Sequence, residues 1–186
     1  MKLYFKHMVC DRCKMLVKAE LEKLELPYSE VNLGEANMRQ EVTPAQIDAL
    51  DSALRLSGIE VLENKKSILI EKIKNTIIQQ VHYVKEALPT NLSTLLAEVL
   101  QLDYVYLANL FSFSEGRTIE KFYLQHRIER IKELLMYDEL NITEIARLMH
   151  YSSVAHLSNQ FKKRTGFTPS FFKQLKNPHR IPLEDI

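Results

Sequence analysis

The stretches AEVLQLDYVYLANLFSFSEGRT (residues 97–118) and ARLMHYSSVAHLSNQFKKRTGFT (residues 146–168) are two copies of one pattern. Ala97, Leu107, Phe111, Gly116 and Thr118 return as Ala146, Leu157, Phe161, Gly166 and Thr168, offset by 49 residues for the alanine and 50 for the others. Recurrence at a fixed period marks a repeated supersecondary unit. Within each copy, a small residue lets a first helix approach a second, and Leu and Phe four apart put one face of that second helix in a core. The opposite face is left free. Between the copies, residues 119–136 read as one long helix, with Ile119, Phe122, Leu124, Ile128, Ile131 and Leu135 on its apolar side. A helical bundle that only packs is the plain alternative; the duplication and the charge argue for a groove-binding pair of helix-turn-helix units.

The charge is uneven along the 186 residues. The formal net charge is +1, but residues 1–64 carry 8 Lys/Arg against 11 Asp/Glu, whereas residues 117–176 carry 11 against 6. The positive end suits an anionic polymer. A composition of 46% hydrophobic and 26% charged residues excludes a disordered or fibrous chain. No run approaches the length of a membrane-spanning helix, and the start MKLYFKHMVC has no long apolar core of a signal peptide, so a cytoplasmic protein is expected. Two cysteines do not make a disulfide scaffold.

Upstream of the repeat, residues 2–6 (KLYFK) read as a strand and residues 11–24 as a helix ended by Pro27. Residues 28–33 (YSEVNL) alternate as a strand, with Gly34 and Asn37 marking a turn before a shorter extended stretch at 38–42. Thr43-Pro44-Ala45-Gln46 opens a second helix, with Thr as N-cap, and Gly58 stops it before a last strand at 59–62. The predicted order is β-α-β-β-α-β, a ferredoxin-like module. From Ser67 the pattern turns helical, with Ile68, Ile70, Ile73, Ile77, Val81 and Val84 at helical spacing and a break at Pro89, Thr90 and Asn91. The fold class expected is α+β: residues 1–64 a ferredoxin-like module, 68–176 an all-α double helix-turn-helix, and 177–186 a tail.

The segment ITEIARLMHYSSVAHLSNQFKKRTGFTPSFFK (residues 142–173) closely resembles the signature of the DNA-binding domain of the AraC/XylS family of bacterial transcription regulators. The likeness extends over residues 68–176. It implies two recognition helices, held by a linker helix, entering successive major-groove segments of double-stranded DNA. Carried over position by position, the base-facing residues are Val105, Ala108 and Asn109 in the first recognition helix and Ser152, Ser153, Val154, Ala155 and Asn159 in the second. Phosphate contacts are expected from Arg117, Lys121, Lys162, Lys163, Arg164 and Lys173. This chain departs from the commoner pattern by lacking Arg and Gln at base-facing sites, and by placing Gln101 and His150 where the two turns usually hold glycine. His126, His150 and His156 show no ligand-type spacing and are taken as structural or solvent-facing.

Met8-Val9-Cys10-Asp11-Arg12-Cys13 lies in the first strand-to-helix connection. Two thiols at this spacing can converge on one soft ion such as Cu(I), while two cysteines are too few for a four-thiolate zinc site. The placement resembles the heavy-metal-associated domain of copper chaperones and metal-transporting ATPases, with His7 where that family usually has Gly. A redox dithiol and a module that only binds a partner remain alternatives, Met8 reading as a buried anchor. Cys10 and Cys13 are thus candidate metal ligands whose ion would shift the domain arrangement or dimerisation. Besides DNA, the partners considered are a second copy through the first module and RNA polymerase; no membrane is expected. A metal carrier whose helical half docks a protein is the competing function. No phosphate loop or catalytic constellation is present, so an enzyme is not expected.

Overall fold

The structure, a computed structural model, describes residues 1–84, 91–175, 179–183 and 186. The chain divides into two compact units, Met1–Thr76 and Ile77–Ile186.

In the first unit, strands β1 (Lys2–Lys6), β2 (Tyr28–Asn32), β3 (Glu35–Met38) and β4 (Glu60–Leu62) alternate with helices α1 (Asp11–Lys23) and α2 (Pro44–Arg55). The strands form one antiparallel sheet in the order β2-β3-β1-β4. In β1, Leu3 and Phe5 point into a core that also holds Val17 and Leu21 of α1 and Leu50 and Leu54 of α2. Full burial of one such side chain stabilises by about 1.5–3 kcal/mol. Thr43 caps α2 through a reciprocal capping box with Gln46.

The third strand differs from its predicted place. It begins at Glu35, directly after a turn at Leu33-Gly34, and Asn37 pairs with Lys2 inside the sheet instead of marking a turn. Gly34 has φ +77°, which permits the tight connection. A Cβ there would lie 2.0 Å from Nδ2 of Asn75, so the turn is also closely covered.

Asn75 belongs to α3 (Lys65–Ile78), whose N-terminal turns join the first unit. Lys72 of this helix lies 4.6 Å from the Tyr4 ring centroid. The expected boundary at 64–68 therefore falls early, because α3 packs on the sheet unit before the division. After α3 the backbone widens into a π-helical segment, Gln79–Tyr83, which the apolar spacing did not announce. Of the predicted break, Pro89 and Thr90 lie outside the described residues.

The second unit contains α4 (Leu92–Leu100), α5 (Tyr104–Glu115), α6 (Ile119–Tyr137), α7 (Ile142–Leu148), α8 (Val154–Thr165) and α9 (Pro169–Lys173). Each start is capped by a side-chain oxygen that accepts the backbone N–H three residues on: Asn91, Asp103, Thr118, Asn141, Ser153 and Thr168. Gly116 and Gly166 end α5 and α8 in the left-handed conformation. Leu107, Phe111, Leu157 and Phe161 are fully buried. Phe111 meets Phe122 edge-on and Phe161 meets Phe172, each pair 5.5 Å apart. At the helix crossings, Ala146 is buried but Ala97 only half-buried; the deeper residues are Leu96 and Ile145.

Helix α6 is covered on more than an apolar stripe. Glu129 and Lys132 are buried as an ion pair of 2.6 Å, and Glu129 also accepts the N–H of Ile181 at 3.0 Å. In the described part of the expected tail at 177–186, Ile181 is held by this bond and Ile186 is buried. The expected domain end at residue 176 lies outside the described residues. His126 is fully buried beneath Phe122, its Nδ1 3.3 Å from Nε2 of His82. Desolvation lowers His126 to about 3 and His82 to about 4.

Candidate nucleic-acid interface

The α4–α5 and α7–α8 pairs each present the outer face of their second helix to solvent. The turns between them are built alike. Gln101 and His150 both adopt positive φ, 53° and 54°, at the positions where glycine was expected. A side chain in this conformation costs about 1 kcal/mol or more, which is why glycine is the easier choice.

The second copy is braced beneath its outer face. Tyr151 is buried in the turn, and its N–H donates to the Ala146 carbonyl at 2.8 Å. Burial raises the Tyr151 phenol above its ordinary value. The Arg127 guanidinium lies 4.3 Å from the Tyr151 ring and donates to the Met149 carbonyl, tying α6 to the turn. Tyr151 also donates to Gln160 of α8. This Arg127–Tyr151–Gln160 bracket was not singled out from sequence; the interleaving of one basic and one aromatic residue across two helices leaves no local signal.

Above the bracket, Ser152, Ser153, Val154, Ala155 and Asn159 are all exposed on the start and outer face of α8. Ser153 spends one acceptor site on the N–H of His156 at 3.1 Å. Ser152 Oγ lies 3.0 Å from Nδ1 of His156, which brings an exposed imidazole onto the same face. Lys162, Lys163 and Arg164 stand exposed on the last turn of α8, where cations are also favoured by the helix C-terminus.

In the first copy, Val105 is 64% exposed, Asn109 is exposed and Ala108 is half-buried. Asp103 caps α5 by accepting the N–H of Tyr106 at 3.1 Å. Tyr104 donates to Glu120 of α6; burial raises the Tyr104 phenol, and the hydrogen bond lowers the Glu120 carboxyl.

Two of the predicted phosphate contacts have other engagements. Arg117 lies 4.7 Å from the Phe122 ring centroid, donates to Gln125 at 3.1 Å and donates to the Ile186 carbonyl. Lys173 forms an ion pair with Asp138. Lys121 remains exposed at the start of α6.

Residues 96–174 match a family model described as a helix-turn-helix domain. Over this segment the chain is similar to helix-turn-helix domains. The chain is 34% identical over 83 residues to the Msm operon regulatory protein of Streptococcus mutans serotype c, a match covering 44% of this chain and 30% of that protein. It is 32% identical over 69 residues to an uncharacterized HTH-type transcriptional regulator in the cgkA 5' region of Pseudoalteromonas carrageenovora, covering 37% of this chain and 40% of the relative. The matches thus span less than half the length of these curated relatives. Among solved structures, the C-terminal domain of AraT, a response regulator from Geobacillus stearothermophilus, superimposes with a TM-score of 0.51 at 24% identity, over 64% of this chain and 92% of that one. That likeness concerns the fold.

In the sheet unit, the two thiols predicted to act together are brought together. Cys10 occupies the N-cap position of α1 without capping it, and its Sγ lies 3.0 Å from Sγ of Cys13. Both are half-buried, and burial pushes the Cys13 thiol up. His7 has φ 63°, a left-handed conformation that favours glycine, and its Nδ1 lies 3.3 Å from the Gly58 carbonyl. Met8 is fully buried, the anchor its sequence context suggested. Among the described residues, no group of three or more His, Cys, Asp or Glu side chains is arranged to hold a metal ion.

Proposed function

We propose that the chain is a cytoplasmic DNA-binding transcription regulator whose second unit reads the major groove. The observation that carries this reading is α8: a braced helix with a polar, uncluttered outer face and three exposed cations on its last turn. Lys162, Lys163 and Arg164 would neutralise phosphates, and Lys121 would add a fourth contact. Ser152, Ser153 and Asn159 would offer hydrogen bonds to base edges, with Val154 and Ala155 against thymine methyls. Val105, Ala108 and Asn109 lie at equivalent positions of α5, a helix with no Lys or Arg of its own, and are not assigned base contacts.

The first unit is proposed as a ferredoxin-like module of the heavy-metal-associated type, supported by its element order and sheet order. Two half-buried sulfurs 3.0 Å apart suit a soft ion such as Cu(I), which prefers thiolates. Cys10 and Cys13 would hold it, with the ion biasing the regulator between two states, a second copy of the module being one route. RNA polymerase is the further partner such a regulator would meet.

The test is binding of the whole chain to a labelled mixed-sequence duplex across a salt series. Log affinity is expected to fall linearly with log salt, with a slope of about −0.9 for each phosphate neutralised. A metal carrier with a protein-docking helical half would show no such binding. Anaerobic Cu(I) competition against a chromophoric chelator tests the thiols separately: competition lost in Cys10→Ser/Cys13→Ser supports the metal reading, and no competition by the native chain contradicts it.

A further inference from the structure

The two helix-turn-helix copies share their core but not their charge. Over residues 103–115 the first copy has two acidic residues, Asp103 and Glu115, and no Lys or Arg; over the matching residues 153–165 the second has Lys162, Lys163 and Arg164 and no acid. The substitutions fall at equivalent places. The N-cap is Asp103 in one and neutral Ser153 in the other. The last turn carries Ser112-Phe113-Ser114 in one and Lys162-Lys163-Arg164 in the other, and Phe113 is 91% exposed where the second copy has Lys163. In the preceding helix, Glu98 stands where the second copy has Arg147.

From this contrast we infer that the chain grips DNA through its second helix-turn-helix alone, the first being held off the duplex by its charge. The inference rests on the DNA-binding reading above and narrows it. A recognition helix enters the groove N-terminus first, where its backbone N–H groups and dipole favour phosphate. In α5 that end is occupied by the Asp103 carboxylate, which faces the phosphates with its own negative charge. The far end of α5 offers a phenylalanine ring and two hydroxyls in place of a phosphate grip. Arg117, which follows α5, is engaged with Phe122, Gln125 and Ile186, leaving Lys121 as the exposed cation among the contacts predicted for this side. Approach of the first copy would thus bring the exposed carboxylates of Asp103 and Glu98 toward the phosphate backbone, with Lys121 the exposed cation beside them and the Arg117 guanidinium held by Phe122, Gln125 and Ile186. One chain then covers one major-groove segment, not two.

Asn109 and Asn159 are the same residue at the same position of the two copies, both exposed, and make a matched pair of probes. The full-length chain and its Asn109→Glu and Asn159→Glu variants are titrated with a fluorescein-labelled mixed-sequence duplex of about three helical turns. Thermal unfolding by circular dichroism checks that both variants fold. Asn159→Glu is expected to weaken binding by about tenfold or more, and Asn109→Glu to leave it within about twofold. Equal losses from the two variants would overturn the inference while leaving the DNA-binding reading intact. Absence of duplex binding by the unmodified chain, even at low salt, would overturn that reading and the inference with it.

Discussion

The two helix-turn-helix copies agree at their main core anchors, caps and stops and differ over most of their outer faces. Leu107 and Leu157, Phe111 and Phe161, Phe122 and Phe172, the caps Thr118 and Thr168 and the stops Gly116 and Gly166 correspond one to one. The outer faces share Asn109 with Asn159 and little else. A duplicated fold requires its core, caps and turns to persist in both copies, because each copy must pack for itself. It places no such demand on surface charge, which is free to differ between the copies.

The largest effects should strike both copies alike. Phe111→Ala and Phe161→Ala each remove a fully buried ring that packs edge-on against a second, and each is expected to destabilise the second unit by about 3–5 kcal/mol in chemical denaturation. A much smaller loss in one copy would mean that its core is not the equivalent of the other. The surfaces should then diverge. Lys162→Ala/Lys163→Ala/Arg164→Ala is expected to flatten the salt dependence of duplex binding by roughly 2–3 in slope, with little change in stability. Replacing Ser112, Phe113 and Ser114 by alanine should leave that slope unchanged.

Acid should expose a feature that lies in one half of the unit only. His82 and His126 are held neutral by burial, at about 4 and about 3, below the ordinary value of 6.5. Above pH 6.5 they are neutral folded and unfolded, and contribute no pH dependence. Below it the unfolded chain takes up protons that the folded one refuses, so stability falls as pH drops toward 4, by about 1.4 kcal/mol per pH unit for each histidine. His126→Gln should flatten this slope in denaturation measured between pH 7 and pH 4. An unchanged slope would assign the acid sensitivity to other groups.

Smaller and again symmetrical effects are expected at the turns. Gln101→Gly and His150→Gly each relieve a left-handed side-chain position, and should raise stability by up to about 1 kcal/mol. A gain in one copy and a loss in the other would show that one of these side chains has a further task.

Much of this architecture was legible in the sequence, because the signals were local. The Thr43–Gln46 capping box, the glycine stops and the Leu/Phe pairs at a spacing of four each report on their own helix, and the helix read over residues 119–136 is α6 to within a residue. What the sequence did not show depends on distant partners. The burial of Glu129 and Lys132 against each other has no local signal, since charged residues on a long helix ordinarily face solvent. Arg117 and Lys173, expected at phosphates, also have the partners Phe122, Gln125 and Asp138, which no local pattern announces. The third strand was displaced because Asn37 resembles a turn residue, whereas Gly34 alone supplies the positive φ the turn requires. The π-helical segment has a helix-like composition, and its altered register shows only in the backbone. Cys10 and Cys13 were legible as a pair, since a three-residue spacing at a helix start already brings two thiols together.

Selection of duplexes from a random-sequence pool by the full-length chain at moderate salt tests the central claim most directly. The account predicts enrichment of one motif confined to about half a helical turn to one turn, lost when Ser152, Ser153 and Asn159 are replaced by alanine. A selected pool no different from the input would contradict it.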